Sequence, residues 1–219
     1  MEILKPSFVI EPVDGDLILR KIEEAGRTCY KSEDKVFDGS ASRFVQMLIK
    51  RGHESVLEHE KISVRIVCDR GVSHELVRHR IASFSQESTR YCNYGDGIAV
   101  IDPPFFDQNE PLQNRIVPDE ETIVPLNRFM VWGMSMRVAD WAYRTLLEMG
   151  ASPQEARTVL PNSLKTEIVV TANLREWRHF FRLRTSAAAH PQMREIAVPM
   201  LAEFRQRVPV VFDDIEVAS

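Results

Sequence analysis

Residues 61 to 68 place Ile62, Val64, Ile66 and Cys68 on one side of an extended chain and Ser63, Arg65 and Val67 on the other. A period of two with one apolar side is the pattern of a strand whose sheet buries one face. Such a sheet needs a covering layer, and the rest of the sequence supplies helices. Asp16 to about Tyr30 repeats Leu17, Ile18, Ile22 and Ala25 at helical spacing, and Ser42 to Arg51 does the same with Phe44, Val45, Leu48 and Ile49 before Gly52. Further helices are expected from His74 to about Arg80 behind a Ser73 cap and from Glu120 to Met149. Others should follow the Ser152-Pro153-Gln154-Glu155 capping box and an Asn173 cap, and the last should run from Gln192 to Arg207. Strand signals are fewer: residues 8 to 13, 61 to 68 and 166 to 172. Strands scattered among more helices, with no regular alternation, predict an α+β fold with a small, mainly antiparallel sheet packed with helices.

The 219 residues, 44% of them hydrophobic, suffice for one sizeable core or two small ones sharing an interface, and of these a single domain over residues 1–219 is the expectation. Within it, the stretch between Ile98 and Asp119 is rich in Pro, Asn and Gln and reads as a long loop, with residues 103 to 118 the expected loop or flap. The formal charge of −4 argues against a general polyanion binder, so any basic site must be local. Three cysteines without metal-type spacing suggest neither a disulfide framework nor a zinc ribbon, and fit a reducing cytoplasm. The start lacks the apolar core of a secretory leader, and no run approaches the roughly 18 apolar residues that span a bilayer. G-x-G-x-x-G and P-loop patterns are absent, so a bound nucleotide would need side chains to hold its phosphates.

Three places concentrate chemistry. In residues 78 to 91, RHRIASFSQESTRY, Arg78, Arg80 and Arg90 supply cationic forks and Ser83, Ser85, Ser88 and Thr89 supply hydroxyls, a set suited to phosphate and carbonyl oxygens. A salt-bridged structural loop could use the same residues. Upstream, His53 and His59 bracket Glu54 and Glu58 in a segment that reads as irregular. Third, on the helix LREWRHFFRLR, Leu174, Trp177 and Phe181 share a face and Arg184 falls about 20° from Trp177. A guanidinium aimed at an apolar interior demands an acidic or oxygen-rich partner. Arg175, His179 and Arg182 form an opposite, exposed row. His74 and His79 superficially resemble a zinc-protease pair, but i and i+5 diverge by roughly 140° on a helix, so no metal site is expected.

The run Arg78-His79-Arg80-x-x-Ser83-x-Ser85-x-x-Ser88-x-Arg90 resembles the R-H-R-x-x-S-x-N-x-x-S-x-R signature of flavin-dependent thymidylate synthases. The likeness extends to His53-Glu54-Ser55, Glu58-His59, Glu155-Ala156-Arg157, Leu160-Pro161, Asn173-x-Arg175 and Leu183-Arg184. It implies a homotetramer with shared active sites that binds FAD and converts dUMP to dTMP, with methylenetetrahydrofolate as carbon donor and NADPH as reductant. Carried over by position, it implies that Glu75, Arg78, Gln86, Glu87, Ser88, Thr89, Arg90 and Arg157 contact the nucleotide, and that Arg184 faces the uracil as the catalytic group. His53, Ser55, Arg78, His79, Arg80, Asn173, Arg175 and His179 would line the flavin. Ser85 stands where the signature has Asn, Gln86 where Glu is frequent, and Glu75 and His179 where amides occur in other members. A nucleic-acid-binding module using the 78–90 cluster and the 175–182 row is the alternative, and the acidic net charge counts against it.

Overall fold

The strand alternation survives intact in a computed structural model that describes residues 1–117 and 122–217. The chain divides into two compact units, one of Met1–Pro6, Cys68–Ser73 and Gln86–Thr166, the other of Ser7–Val67, His74–Ser85 and Glu167–Ser219. Among the described residues, no helix is long and apolar enough to cross a membrane.

The second unit is organised around a four-stranded sheet. Its strands are β2 (Ser7–Ile10), β3 (Lys61–Asp69), β4 (Ala82–Gln86) and β8 (Lys165–Asn173), in the order β2-β3-β8-β4. Strands β2 and β3 run antiparallel, with Phe8 opposite Ile66 and Ile10 opposite Val64. On the next pair Ser63 meets Thr171 and Arg65 meets Glu167, so numbers rise on β3 as they fall on β8 and the two also run in opposite directions. Ile62, Val64 and Ile66 on β3 and Ile168, Val170 and Ala172 on β8 are buried, as strands with one covered face require. The helices of this unit are α1 (Gly15–Thr28), α2 (Ser40–Lys50), α6 (Leu174–Arg184) and α7 (Pro191–Arg207). Helix α6 is tied to the sheet by the Trp177 indole N–H, which donates to the Ile62 carbonyl at 3.0 Å. Below it, Trp177, Phe181, Phe204 and Phe212 pack ring against ring at centroid distances of 4.9 to 5.8 Å.

The first unit pairs β1 (Glu2–Leu4) in parallel with β5 (Ala99–Ile101), and β6 (Gln113–Ile116) antiparallel with β7 (Ile123–Leu126). Helix α4 (Arg128–Glu148) packs Trp132 and Met136 against Ile98, Val100 and Leu164, and the short α5 (Pro153–Ala156) follows it. The remaining helix, α3, is Arg70–Leu76.

Several expectations shift for physical reasons. The helix expected from His74 to Arg80 instead covers Arg70–Leu76, because the Asp69 carboxylate accepts from the Val72 N–H at 2.7 Å while Ser73 turns its hydroxyl to the Arg70 carbonyl. Residues 54–59, read as irregular, form a 3₁₀ turn. The stretch from Ile98 to Asp119, read as loop, holds β5 and β6; every residue of β6 is exposed, so it carries no apolar signal. The helix expected from Glu120 begins only at Arg128. Pro125 sits in β7, and Asn127 caps α4 by accepting from the Met130 N–H at 2.9 Å. Pro118 at the end of the expected flap, Asp119 at the end of that loop and Glu120 at the expected helix start lie outside the described residues.

Gly15 opens α1 where a side chain has no room: a Cβ there would lie 2.1 Å from the Arg207 carbonyl oxygen. Gly15→Ala is expected to lower unfolding stability by about 1–3 kcal/mol, read as a lower urea midpoint. An unchanged midpoint would refute the close approach.

Candidate active site

Helix α6 carries three kinds of cation. Arg178 is fully buried. Its Nε and Nη2 donate to Glu54, its Nη1 and Nη2 to Asp214, and its Nη1 also to the Val211 carbonyl. A guanidinium has five N–H groups, and all five are used. Arg175 and Arg182 lie on the exposed side as the helix period predicts, yet each is ion-paired, Arg175 with Glu58 at 2.5 Å and Arg182 with Glu54 at 2.9 Å. Both arginines of that row are therefore already matched to protein carboxylates, which weakens one of the two basic surfaces that the nucleic-acid alternative invokes.

Arg184 is the third kind. Its side chain is 14% exposed, on the apolar stripe where the sequence puts it. Nη1 donates to Glu75 Oε2 at 2.6 Å, Nη2 to the Glu75 carbonyl at 3.1 Å, and Nε to His79 Nε2 at 3.2 Å. Three of its five N–H groups are thus engaged, leaving one on each Nη. The acidic partner that the sequence demands is Glu75, a residue that the resemblance assigns to the nucleotide.

His79 is buried, with Nδ1 2.9 Å from Glu176 Oε1 and its ring edge-on to Phe180. Burial pushes its pKa below the ordinary imidazole value; the Glu176 hydrogen bond opposes this, and the Arg184 charge adds to it. Glu176 is placed by the Asn173 cap, whose Oδ1 accepts the Glu176 N–H at 2.8 Å. The ligating atoms of His79, Glu176 and His179 lie within 4.8 Å of one another. Both His79 nitrogens are taken by protein groups, however, and a dication there would face the Arg184 guanidinium, so the trio reads as a hydrogen-bonded chain.

Beside this cluster a cleft of about 490 Å³ is lined by Lys21, His59, Lys61, Arg80, Ser83 and Asn173, among others. Of the residues the resemblance assigns to the flavin, Arg80 and Asn173 line it, while Arg175 is paired to Glu58, another lining residue. His79 and His179 sit together, ring centroids 5.6 Å apart. Ser55 and Arg78 are exposed, as is His53, whose Nδ1 lies 3.4 Å from the Tyr30 hydroxyl.

The first unit holds the other assigned residues. Gln86 donates to the Ser73 hydroxyl at 2.9 Å and to the Thr166 hydroxyl at 3.1 Å. The Glu87 carboxylate accepts from Tyr94 and Lys165, both at 2.8 Å, so it anchors the turn that follows β4. Burial, then Glu87, pushes the Tyr94 phenol upward. Ser88 Oγ accepts the Arg90 N–H at 3.3 Å, Thr89 is buried, and the guanidinium carbon of Arg90 lies 5.3 Å from the Tyr91 ring centroid. Arg157 is exposed in a 3₁₀ turn. No thiol is activated at Cys68, which burial pushes up to about 12.

Sequence reasoning passed over Arg178, although the signal existed: it lies about 40° from Leu174 and about 60° from Phe181 around α6. Glu176 has a local sign only as the third residue after the Asn173 cap. The long-range contacts of that carboxylate have no local sequence sign.

The family model described as thymidylate synthase complementing protein matches residues 18–210. A flavin-dependent thymidylate synthase of Mycobacterium avium (strain 104) is 35% identical over 221 residues, covering 100% of this chain and 88% of the relative. One from Mycolicibacterium vanbaalenii is 36% identical over 219 residues, covering 99% and 87%. Among solved structures, the UMP/dUMP methylase PolB from Streptomyces cacaoi bound with 5-Br dUMP superposes with a TM-score of 0.73 at 26% identity, covering 97% of this chain and 96% of that one.

The Arg178 node sets an acid sensitivity. Arg178 holds the Asp214 carboxyl below its usual range, and for Glu54 the Arg182 and Arg178 guanidiniums outweigh the upward push of burial. Both folded-state values are depressed, so the stabilisation is present above the ordinary carboxylate range and lost as pH falls through the lowered values. Between about pH 5 and pH 3, the wild type should lose stability more steeply than Arg178→Met. At neutral pH Arg178→Met should cost about 1–3 kcal/mol, since it leaves the Val211 carbonyl and the half-buried Glu54 carboxylate without their donor. Parallel pH profiles in denaturant melts would contradict the assignment.

Proposed function

The chain belongs to the flavin-dependent thymidylate synthase family, a family of methyltransferases, and from that premise we propose that it forms dTMP by FAD-dependent reductive methylation of dUMP. Methylenetetrahydrofolate is the carbon donor and NADPH the reductant in this reading, and residues 1–219 serve as one catalytic domain. The observation that carries it is Arg184: a half-buried guanidinium fixed on three sides by Glu75 and His79, with one N–H on each Nη to spare.

Arg184 faces the uracil, where its two spare N–H groups donate to the carbonyl edge of the base. Donors held in place by the protein favour the polarised base as negative charge develops on it, which raises the nucleophilicity of C5. Because the guanidinium is already oriented, no reorganisation is needed when charge appears. Arg78, Ser88, Arg90 and Arg157 bind the nucleotide, with Gln86, Glu87 and Thr89 shaping the turn around Ser88 and Arg90. The Glu87 carboxylate, committed to Tyr94 and Lys165, acts by holding that turn. Gln86 does the same through Ser73 and Thr166. Glu75, which departs from the family pattern, serves through Arg184.

The donor set of the cleft suits a dinucleotide flavin. Arg80 and Lys61 offer cations for a diphosphate, Lys21 being paired to Glu60 at 3.2 Å, and Ser83 and Asn173 offer polar groups for sugar or ring, in a volume within the range of about 300–1,000 Å³ usual for ligand pockets. His53, Ser55, Arg78, His79, Arg175 and His179 complete the assignment, with His53 next to the isoalloxazine or folate. The flavin, when bound, supplies the redox chemistry, and the protein supplies orientation and charge.

The reading includes a homotetramer with shared sites. Val131, Met134, Val138 and Trp141 follow one another on α4 at the 3-4-3 spacing of a helix-packing seam, and Val131, Val138 and Trp141 are 47%, 61% and 63% exposed. Three free cysteines support a reducing, cytoplasmic setting.

Purified protein should be yellow and should form dTMP when given dUMP, methylenetetrahydrofolate and NADPH. Arg184→Ala should keep the flavin spectrum and lose at least about 100-fold in turnover. Colourless protein that stays inactive after FAD addition would defeat the reading, and near-normal turnover in Arg184→Ala would defeat the assigned role. Separately, Trp141→Glu should move the sedimentation coefficient toward smaller species without loss of helical signal; an unchanged coefficient would remove α4 from the subunit interface.

A further inference from the structure

The hydrogen bond from Arg184 Nε to His79 Nε2 carries information about a proton. A guanidinium N–H is always a donor, so the 3.2 Å contact exists only while His79 Nε2 offers a lone pair. The ring proton then resides on Nδ1, where Glu176 Oε1 waits 2.9 Å away. Glu176 is itself fixed, buried on α6 with its N–H held by Asn173. The sequence Asn173, Glu176, His79, Arg184, Glu75 is thus a chain of hydrogen bonds in which each member has one sensible orientation.

We propose that Glu176 locks His79 in its Nδ1–H tautomer, and that His79 acts through Nε2 as a positioning residue that aims Arg184 at the pyrimidine. This rests on the reading that Arg184 faces the base. It gives His79 a role other than lining the flavin. Protonating His79 would turn Nε2 into a donor facing another donor, breaking the contact and placing two cations together. The charged or titratable groups around His79 are Glu176, His179 and Arg184 on α6, Glu75 on α3 through Arg184, and its chain neighbours Arg78 and Arg80. Burial keeps the ring neutral below the ordinary imidazole value of about 6.5, so dUMP affinity should show an acid limb below that point. Glu176 pulls the limb upward, and its neutralisation should move the limb to lower pH.

The test uses the flavin-loaded enzyme and two readouts. ¹⁵N-histidine NMR of the wild type should show His79 as the Nδ1–H tautomer, and Glu176→Gln should titrate at lower pH. Titration with dUMP should show His79→Leu weaker by about tenfold, the loss of one hydrogen bond to a charged group. His79→Gln, whose amide oxygen can replace the Nε2 lone pair, should recover to within about threefold, affinity being compared per flavin-loaded site. Because Arg184 acts on charge that develops on the base, kcat in His79→Leu should fall along with dUMP affinity at the pH optimum and be restored in His79→Gln. An Nε2–H tautomer, an unmoved titration in Glu176→Gln, or equal affinities of the Leu and Gln variants would overturn the relay. If His79→Leu does not fold, the NMR and the Gln variants still decide. The correct tautomer in an enzyme that binds no dUMP would instead overturn the functional reading, and with it the aim assigned to Arg184.

Discussion

A guanidinium on the apolar side of a helix cannot stay there unaccompanied, because removing its water costs several kcal/mol that only close, well-directed acceptors offset. Helix α6 carries two such groups, Arg178 and Arg184, and much of the second unit is arranged to answer them. Arg178 draws in Glu54 from the 3₁₀ turn after His53 and Asp214 with the Val211 carbonyl from the chain end. Arg184 draws in Glu75 and His79. Segments more than a hundred residues apart in sequence are thereby brought to α6 on two sides about 120° apart, and the aromatic cluster of Trp177, Phe181, Phe204 and Phe212 closes under it.

Counting donors separates the two arginines by role. Arg178 has no N–H left, sits at zero exposure, and meets two carboxylates and a carbonyl. It is a saturated structural node, and any ligand would have to break it to use it. Arg184 keeps two donors and some exposure. It can accept a further partner without giving up its present ones, and this property makes a preorganised electrostatic group useful in a reaction where charge develops on a bound base. The same count explains why Arg175 and Arg182 are poor candidates for a nucleic-acid surface despite their exposure, since both are already matched to carboxylates.

Features governed by local periodicity were legible in the sequence. The alternation of β3, the stripes of α1 and α2, the Ser152 and Asn173 caps and the place of Arg184 on α6 all follow from spacing alone. The strands β4 and β6 were not, because β4 is five residues long with only Ala82 and Phe84 apolar on its inner side, and β6 is exposed throughout. The start of α3 moved because Asp69 outcompetes Ser73 for the exposed N–H groups of the first turn. At the site, the demand of Arg184 for an acid was visible, but not that Glu75 meets it, nor that Glu176 leaves its own helix to reach His79. Those pairings span roughly a hundred residues of sequence and are products of packing, which no local pattern records.

The departures from the family signature gain a physical sense from these pairings. Where the resemblance puts an amide, Glu75 brings a carboxylate to the guanidinium that we propose acts on the base. Such a charge could have silenced Arg184, and two details prevent this. One of the two Glu75 contacts is made by the backbone carbonyl, so the carboxylate takes a single N–H. His79, neutral and locked by Glu176, takes the Nε–H without adding charge. The result is a guanidinium held on three sides that keeps a donor on each Nη, so it is fixed in place and can still take a further partner.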